Sequence, residues 1–257
     1  MKETRPQLTC MGVPHIPLIE TGDPLPQWIA EAIRAMGECL QEGDVVVVAQ
    51  KIVSKAEGRW AYLPDVEPTP RAHALAQRAQ KDPRLVELIL RESRDILRVR
   101  PGLIIVEHRL GFICANAGID HSNVRGDEEW VLLLPQDPDA SAERLRRAWQ
   151  EEFDVDNLAV IINDSHGRAW RQGTVGVAIG VAGMHPLTDR RGDKDLTGRL
   201  LNATVIGTAD ELAAAASAVM GQADEGIPVV IIRGARFRQG AGRLADMLRP
   251  REMDLFR

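Results

Sequence analysis

VIINDSHGRAWRQGTVGVAIGVAG, residues 160–183, decides how the rest of this chain is read. It opens on the apolar β-type run Val160-Ile161-Ile162 and turns abruptly to Asn163-Asp164-Ser165-His166-Gly167. A short apolar run bounded by polar and glycine residues predicts a buried strand emptying into a loop, and ligand-binding groups are held at strand ends of this kind. Arg168 and Arg171 follow, then Gly173, Gly176, Gly180 and Gly183 among small apolar residues. A carboxylate, a hydroxyl, two guanidiniums and open backbone suit a metal-chelated phosphate. The same residues equally suit a sharp turn with a capping Asp and solvated arginines.

Upstream, Val45-Val46-Val47-Val48-Ala49 is an unbroken run that cannot alternate between core and water. It predicts a central strand buried on both faces. Gln50, Lys51 and Lys55 leave directly from its end, in a segment read as a loop. They are either solvated loop charges or contacts to a phosphate or nucleotide.

Helical spacing covers residues 28–40, through Trp28, Ile29, Ala32, Ile33, Met36 and Leu40, and residues 140–153. Residues 71–98 read as two helices broken near Asp82-Pro83, and residues 210–219 as an alanine-rich helix with Asp210 as N-cap. Residues 102–106 and 111–115 form a predicted hairpin, and residues 130–134, 204–208 and 229–232 further strands. Residues 64–70 are a proline-punctuated linker, residues 189–202 a charged exposed segment, and the tail from Gly240 is predicted helical before it frays. Alternating helices and strands with hairpin signals predict a mixed α/β (α+β) architecture, with mixed sheets and flanking helices. Residues 1–257 are read as one domain, within which two lobes can be accommodated.

An apolar content of 44% and a charged content of 27% are ordinary for a globular protein, and a net charge of −5 argues against a general nucleic-acid partner. Cys10, Cys39 and Cys114 are scattered, without a CxxC pair, so they support neither a zinc site nor a disulfide framework. Each is expected to be a small buried residue in a reducing compartment. No signal peptide or membrane-length apolar stretch is visible, so a cytoplasmic location without a membrane partner is expected.

No GxxxxGK[ST], nucleophile elbow or kinase signature occurs. Gly240-Ala241-Gly242-Arg243-Leu244-Ala245 matches the dinucleotide fingerprint GxGxxA by letter, but only a short tail follows, leaving no room for a βαβ unit. The expected fold is therefore neither P-loop nor Rossmann. What remains are three acidic and amide-bearing loops, around Asp120, around Asp164, and over residues 222–225, beside the Lys51 and Lys55 segment. Carboxylates from separate loops are how proteins hold magnesium or manganese beside a nucleotide's phosphates. His121 and His166 are lone histidines without HxH or HExxH partners and stay outside any ligand set.

At these residues the chain resembles the coenzyme F420-0:L-glutamate ligase family. The matching segments are Ile16-Pro17-Leu18-Ile19, GDVVVVAQKIVSKAEGR, NAGIDHSNV, INDSHGRAWRQGTVGVAIG, KDLTGR and MGQADEGIPVVIIRG, in one order over nearly the whole chain. The resemblance implies an amide-forming ligase that joins L-glutamate to the terminal carboxylate of a lactyl-phospho-deazaflavin precursor. Further γ-linked glutamates can follow. GTP activates the carboxylate as an acyl phosphate, releasing GDP and phosphate. The implied cofactors are Mg2+ or Mn2+, two per site, with a monovalent cation such as K+ beside them. Carried over by position, Ile16, Pro17, Leu18, Ile19, Gln50, Lys51, Lys55 and Asn123 line the GTP site, and Met220, Gly221, Gln222, Ala223, Asp224, Glu225, Gly226 and Ile227 close on the nucleotide. Asp120 and Asp164 hold one metal, and Ser165 and Gln222 touch the second. Ser165 replaces an expected threonine, and Gln222 stands where some relatives carry glutamate. Arg168 and Arg171 are further candidate phosphate contacts, and no catalytic residue is assigned. The resemblance also implies a stand-alone form without a nitroreductase-like second domain, and an intertwined homodimer. The rival functions are a nucleotide-dependent ligase for another carboxylate acceptor and a non-catalytic nucleotide-binding regulator.

Overall fold

Five strands form the central sheet of the computed structural model, which describes residues 5–120 and 129–255. Their order is Thr9–Gly12, Val229–Arg233, Val45–Ala49, Ala159–Arg168 and Arg171–Ala182. Val45–Ala49 is the middle strand, as its valine run predicts, and pairs parallel to Ala159–Arg168 and antiparallel to Val229–Arg233. Successive side chains of a strand face opposite ways. Accordingly Val46, Val48, Val160, Ile162, Val229 and Ile231 enter the larger core, which also contains helices Leu25–Ala35 and Pro138–Phe153. Val45, Val47, Ile161, Val230 and Ile232 enter a second core against helix Thr208–Met220. A three-stranded antiparallel sheet, Ser93–Arg100, Leu103–His108 and Ile113–Ala115, contains the predicted hairpin. Trp60–Tyr62 pairs with Trp130–Leu132. The architecture is mixed α+β, as expected, and no described helix is long and apolar enough to cross a membrane.

Several local expectations need correction. The polar run after Ile162 is no loop: the strand continues to Arg168 because Arg171–Ala182 supplies a ladder partner along its length, through a tight turn with Trp170 at φ +65°. Gln50, Lys51 and Lys55 belong to a helix, Gln50–Ala56, that begins directly at the strand end. The first helix is Leu25–Ala35, earlier than its apolar spacing suggests, because Pro26 is accommodated in the first turn and Gly37 at φ +80° stops the chain beyond Ala35. Residues 93–98 are strand, not helix: the turn at Gly102, φ +80°, folds Ser93–Arg100 onto Leu103–His108, and that pairing overrides the helical charge pattern. The tail has only single 3-10 turns, Leu244–Met247 and Arg251–Met253. Cys114 is buried and Cys10 half-buried, but Cys39 is exposed, and all three are free.

Asp210 is not an N-cap. It lies in the first turn of Thr208–Met220, and its carboxylate accepts the Ala178 N–H at 2.9 Å. That N–H needs a side-chain partner because the ladder shifts register between Ile162 and Asn163, opposite Gly180 and Ala178. Just beyond the bulge, Asn163 is buried and its Nδ2 donates to Ser217 Oγ at 3.1 Å. Gly176 lets hairpin and helix approach: a Cβ there would lie 2.2 Å from Ser217 Oγ, 2.5 Å from the Ala213 carbonyl oxygen and 2.6 Å from Asn163 Oδ1.

Away from the main sheet, Glu92 gathers Arg59 at 3.1 Å and Arg109 at 2.8 Å, with His108 Nε2 at 3.6 Å. Burial raises the carboxyl's pKa, but the nearby His108 ring, the hydrogen bond from Arg109 and the two positive charges outweigh it, leaving Glu92 at about 2. A depressed carboxylate pKa stabilises above the unfolded value and is lost as pH falls towards the folded one. Glu92→Gln is therefore expected to cost about 3 kcal/mol in urea unfolding at neutral pH, because two guanidiniums lose their counter-charge. The gap between variant and parent should shrink as pH drops from about 4.5 towards 2. Gly176→Ala is expected to lower the melting temperature by several degrees through overpacking against backbone, measured by differential scanning fluorimetry.

Candidate functional site

Four strands of the central sheet present an end at the same edge. Thr9–Gly12 runs out there into residues 13–20, Val45–Ala49 into helix Gln50–Ala56, and the buried part of Ala159–Arg168 into Asn163, Asp164 and Ser165. Val229–Arg233, running the other way, enters from residues 221–228. Backbone bonds from Ala49 N to the Pro228 carbonyl, 2.8 Å, and from Val13 N to the Val229 carbonyl, 2.8 Å, hold these ends together. Ligands collect at the carboxyl ends of parallel strands because the chain diverges there and leaves a crevice. Here the crevice is a cleft of about 1120 Å³.

Its lining includes Ile16, Pro17, Leu18, Ile19, Gln50, Lys51, Lys55, Asp120, Asp164, Ser165 and all of residues 220–227. The structure thus brings together segments that are far apart in the chain. Asp120 arrives from outside the central sheet, through its backbone bridge to Leu132. Asn123 lies outside the described residues. Arg168 and Arg171 are not brought to the cleft: both are exposed at the turn of the long hairpin, where Arg168 donates to the Gly173 carbonyl at 3.0 Å. Trp60, Ser217 and Glu20 line the cleft without having been singled out from the sequence. Trp60 comes from a short strand whose pattern carries no ligand signal.

Asp120 is the electrostatic centre. Ser54 Oγ donates to Gln50 Oε1 at 3.0 Å, which turns the Gln50 amide so that Nε2 donates to Asp120 Oδ2 at 2.8 Å. Lys51 Nζ stands 3.7 Å from the same oxygen. Burial nevertheless pushes the Asp120 carboxyl up to about 6; Lys51 opposes the shift and the like charge of Asp164 adds to it. Burial also lowers the Lys55 pKa, helped by repulsion from Lys51 and opposed by Asp120. Lys55 Nζ lies 5.9 Å from the Trp60 ring centroid. Two carboxylates near enough to repel thus line the cleft with two ammoniums, a distribution suited to a cation and a polyanion bound together.

Asp164 Oδ1 accepts the Ser165 N–H at 2.8 Å, and Oδ2 lies 2.9 Å from His166 Nε2. In residues 221–228, Glu225 accepts the Ala223 N–H at 2.9 Å, a bond that holds its carboxyl below the usual range. Gly221, at φ +71°, leaves the space that this carboxylate fills.

Among the described residues no group of three or more His, Cys, Asp or Glu could hold a metal ion alone. Asp120, Asp164, Ser165 and Gln222 supply two carboxylates, a hydroxyl and an amide on one cleft. Such oxygen donors fit Mg2+ or Mn2+, which take the rest of their shell from phosphate oxygens and water. The mutual repulsion of Asp120 and Asp164 would be relieved by a cation between them.

Comparison with known proteins agrees with this geometry. The family model described as F420-0:Gamma-glutamyl ligase matches residues 14–234. A coenzyme F420:L-glutamate ligase of Methanothermobacter thermautotrophicus is 51% identical over 97% of this chain and 99% of its own length. Its counterpart in Methanopyrus kandleri is 48% identical over 98% of each chain, and that of Archaeoglobus fulgidus 42% identical over 95% of this chain and 94% of its own. A full-length match that includes every strand end of the cleft places this chain in the F420-0:gamma-glutamyl ligase family.

Proposed function

We propose that the chain joins L-glutamate to the deazaflavin precursor F420-0 by an amide bond, with GTP as the activating nucleotide. The observation that carries this reading is the single cleft lined together by Asp120, Asp164, Lys51, Lys55 and residues 220–227, with Lys51 3.7 Å from Asp120. A carboxylate is a poor electrophile at neutral pH. One of its oxygens attacks the γ-phosphorus of GTP, GDP leaves, and an acyl phosphate results. The glutamate amine, as the free base, attacks the acyl carbon, and the carbon–oxygen bond to phosphate breaks. Phosphate departs with the oxygen, and the nitrogen gives up its remaining extra proton to solvent.

Little of this needs covalent help from the protein, so positioning and charge neutralisation carry the catalysis. Lys51 and Lys55, on one helix, would neutralise phosphate oxygens; the lowered pKa of Lys55 reflects a buried ammonium that gains from an anionic partner. Backbone of residues 16–19 and of the glycine-bearing residues 221–227 would line the nucleotide. Asp120, Asp164, Ser165 and Gln222 would hold two divalent ions, which when bound lower the charge on the transferring phosphoryl group. Trp170 on the hairpin turn is an exposed apolar side chain, and so are Leu196, Leu200 and Val205. Their exposure supports the proposal of a second copy packing against this chain.

Incubating the protein with F420-0, L-glutamate, GTP and Mn2+ is expected to add one glutamyl residue, seen by mass spectrometry, with GDP appearing only when the acceptor is present. GDP release without acceptor, or no product at all, would overturn the assignment. Asp164→Ala is expected to reduce ligation by at least about a hundredfold, the scale of losing a metal-held phosphate contact, while circular dichroism stays that of the parent. Lys55→Ala should weaken GTP binding roughly tenfold in a calorimetric titration, because a charge-assisted contact is worth about 1.5–3 kcal/mol.

A further inference from the structure

We propose that His166 is a positioning residue for Asp164, held in place from outside the central sheet by Phe112. This rests on the metal-assisted reading above, in which Asp164 is a cation ligand. Asp164 and His166 are two residues apart on one strand, so their side chains share a face. An ionised carboxylate only accepts, so His166 Nε2–H donates to Asp164 Oδ2, at 2.9 Å. The Ser165 N–H occupies Oδ1 at 2.8 Å, and together the two bonds fix the plane of the carboxylate.

His166 is itself wedged. The Phe112 ring meets it with centroids 5.2 Å apart at 47°, and also stacks on the fully buried His108 ring at 5.1 Å and 4°. His108 is anchored in turn: its Nδ1 accepts the Leu110 N–H at 3.1 Å, and Nε2 faces Glu92 at 3.6 Å. Phe112 sits at the turn of the three-stranded sheet, where its carbonyl accepts the His108 N–H at 2.9 Å. A row of three rings thus connects the Glu92 cluster to a carboxylate of the cleft. Nothing in the ligation chemistry requires an imidazole here, and the sequence pattern leaves His166 a lone residue. Carboxylates that bind metals work best when a neighbouring donor fixes them, and losing such a donor typically costs 10–100-fold in metal affinity.

The test measures Mn2+ binding by electron paramagnetic resonance on the full chain, beside GTP binding in EDTA and the KM and kcat of ligation. His166→Phe keeps an aromatic ring against Phe112 but removes the donor; it is expected to weaken Mn2+ binding by about tenfold or more while GTP binding in EDTA stays within about twofold. His166→Gln, which restores an N–H donor, should recover most of that loss. Phe112→Leu should weaken Mn2+ binding several-fold in the parent and have no further effect in His166→Phe, the non-additivity expected of residues acting through one contact. Unchanged Mn2+ affinity in His166→Phe, equal loss of metal-free GTP binding, or additive effects with Phe112→Leu would each overturn the proposal. A parent chain that binds no Mn2+ would take down the metal reading and this inference together; a parent that binds it, with an unaltered His166→Phe, would remove only the inference.

Discussion

Parallel pairing of Val45–Ala49 with the first half of Ala159–Arg168 is the constraint on which the cleft depends. Two parallel neighbours must finish at the same edge of the sheet, so the residues after Ala49 and after Ile162 emerge side by side, Ala49 directly opposite Asn163. Joining parallel strands also demands a long crossover. Here the crossover is long enough to hold helices, the three-stranded sheet and the short strand pair that carries Asp120 to the same edge. The antiparallel flank adds its own ends there, bringing in residues 13–20 and 221–228. The middle strand is apolar on both faces because it separates two cores, and its burial keeps those ends from shifting relative to one another.

Charge at this edge is not balanced by the protein's own groups. Asp120 loses hydration without a full counter-charge, since one lysine at 3.7 Å and one amide at 2.8 Å do not offset burial and the neighbouring Asp164. Lys51 and Lys55 likewise repel each other. A site that holds unfavourable charges of both signs apart favours ligands that carry both signs together, which is the basis for proposing a metal–triphosphate. The Glu92 cluster is the opposite case. Its carboxylate is matched by two guanidiniums and a histidine, and its depressed pKa shows charges already satisfied within the fold. That contrast separates the acids of the cleft from the structural one.

How much of this was legible beforehand follows from which contacts are local. The double burial of Val45–Ala49 is written in consecutive β-branched residues, and the antiparallel hairpin at 103–115 in its turn residues. Three polar segments could be recognised as sites without showing that they meet, because meeting depends on strand order, a non-local property. The residues around Lys51 and Lys55 read as a loop in sequence, yet both lie on Gln50–Ala56, where a helix starts without any side-chain cap to announce it. Asp210 has the right type for an N-cap but is claimed by a bulge N–H from another element. His166 carried no motif, since its significance lies in Phe112, a residue distant in sequence. Trp170 has a left-handed backbone that glycine or asparagine would more commonly signal, so the turn of the long hairpin was hidden.

The bulge explains why Asp164 sits on a ladder and still reaches open space. Between Ile162 and Asn163 the partner strand carries one residue more than Ala159–Arg168, and both Ile179 and Gly180 are packed towards the core and Pro138. Such a bulge bends and twists its strand pair. It occurs where the parallel neighbour has just ended at Ala49, so the pair leaves the sheet plane at the point where Asp164 begins to line the cleft. The cost is a backbone N–H without a ladder partner, and Asp210 offsets it. Past the bulge, Asn163 bonds to Ser217 near the end of the helix that leads into residues 221–228, which ties the strand carrying Asp164 to the loop on the other wall of the cleft. Asp164 is thus fixed by backbone pairing, while the loop beside it is shaped by glycines and one Glu225 clasp. Residues held on regular elements, as Asp164 is here, keep their geometry more closely than residues held on loops.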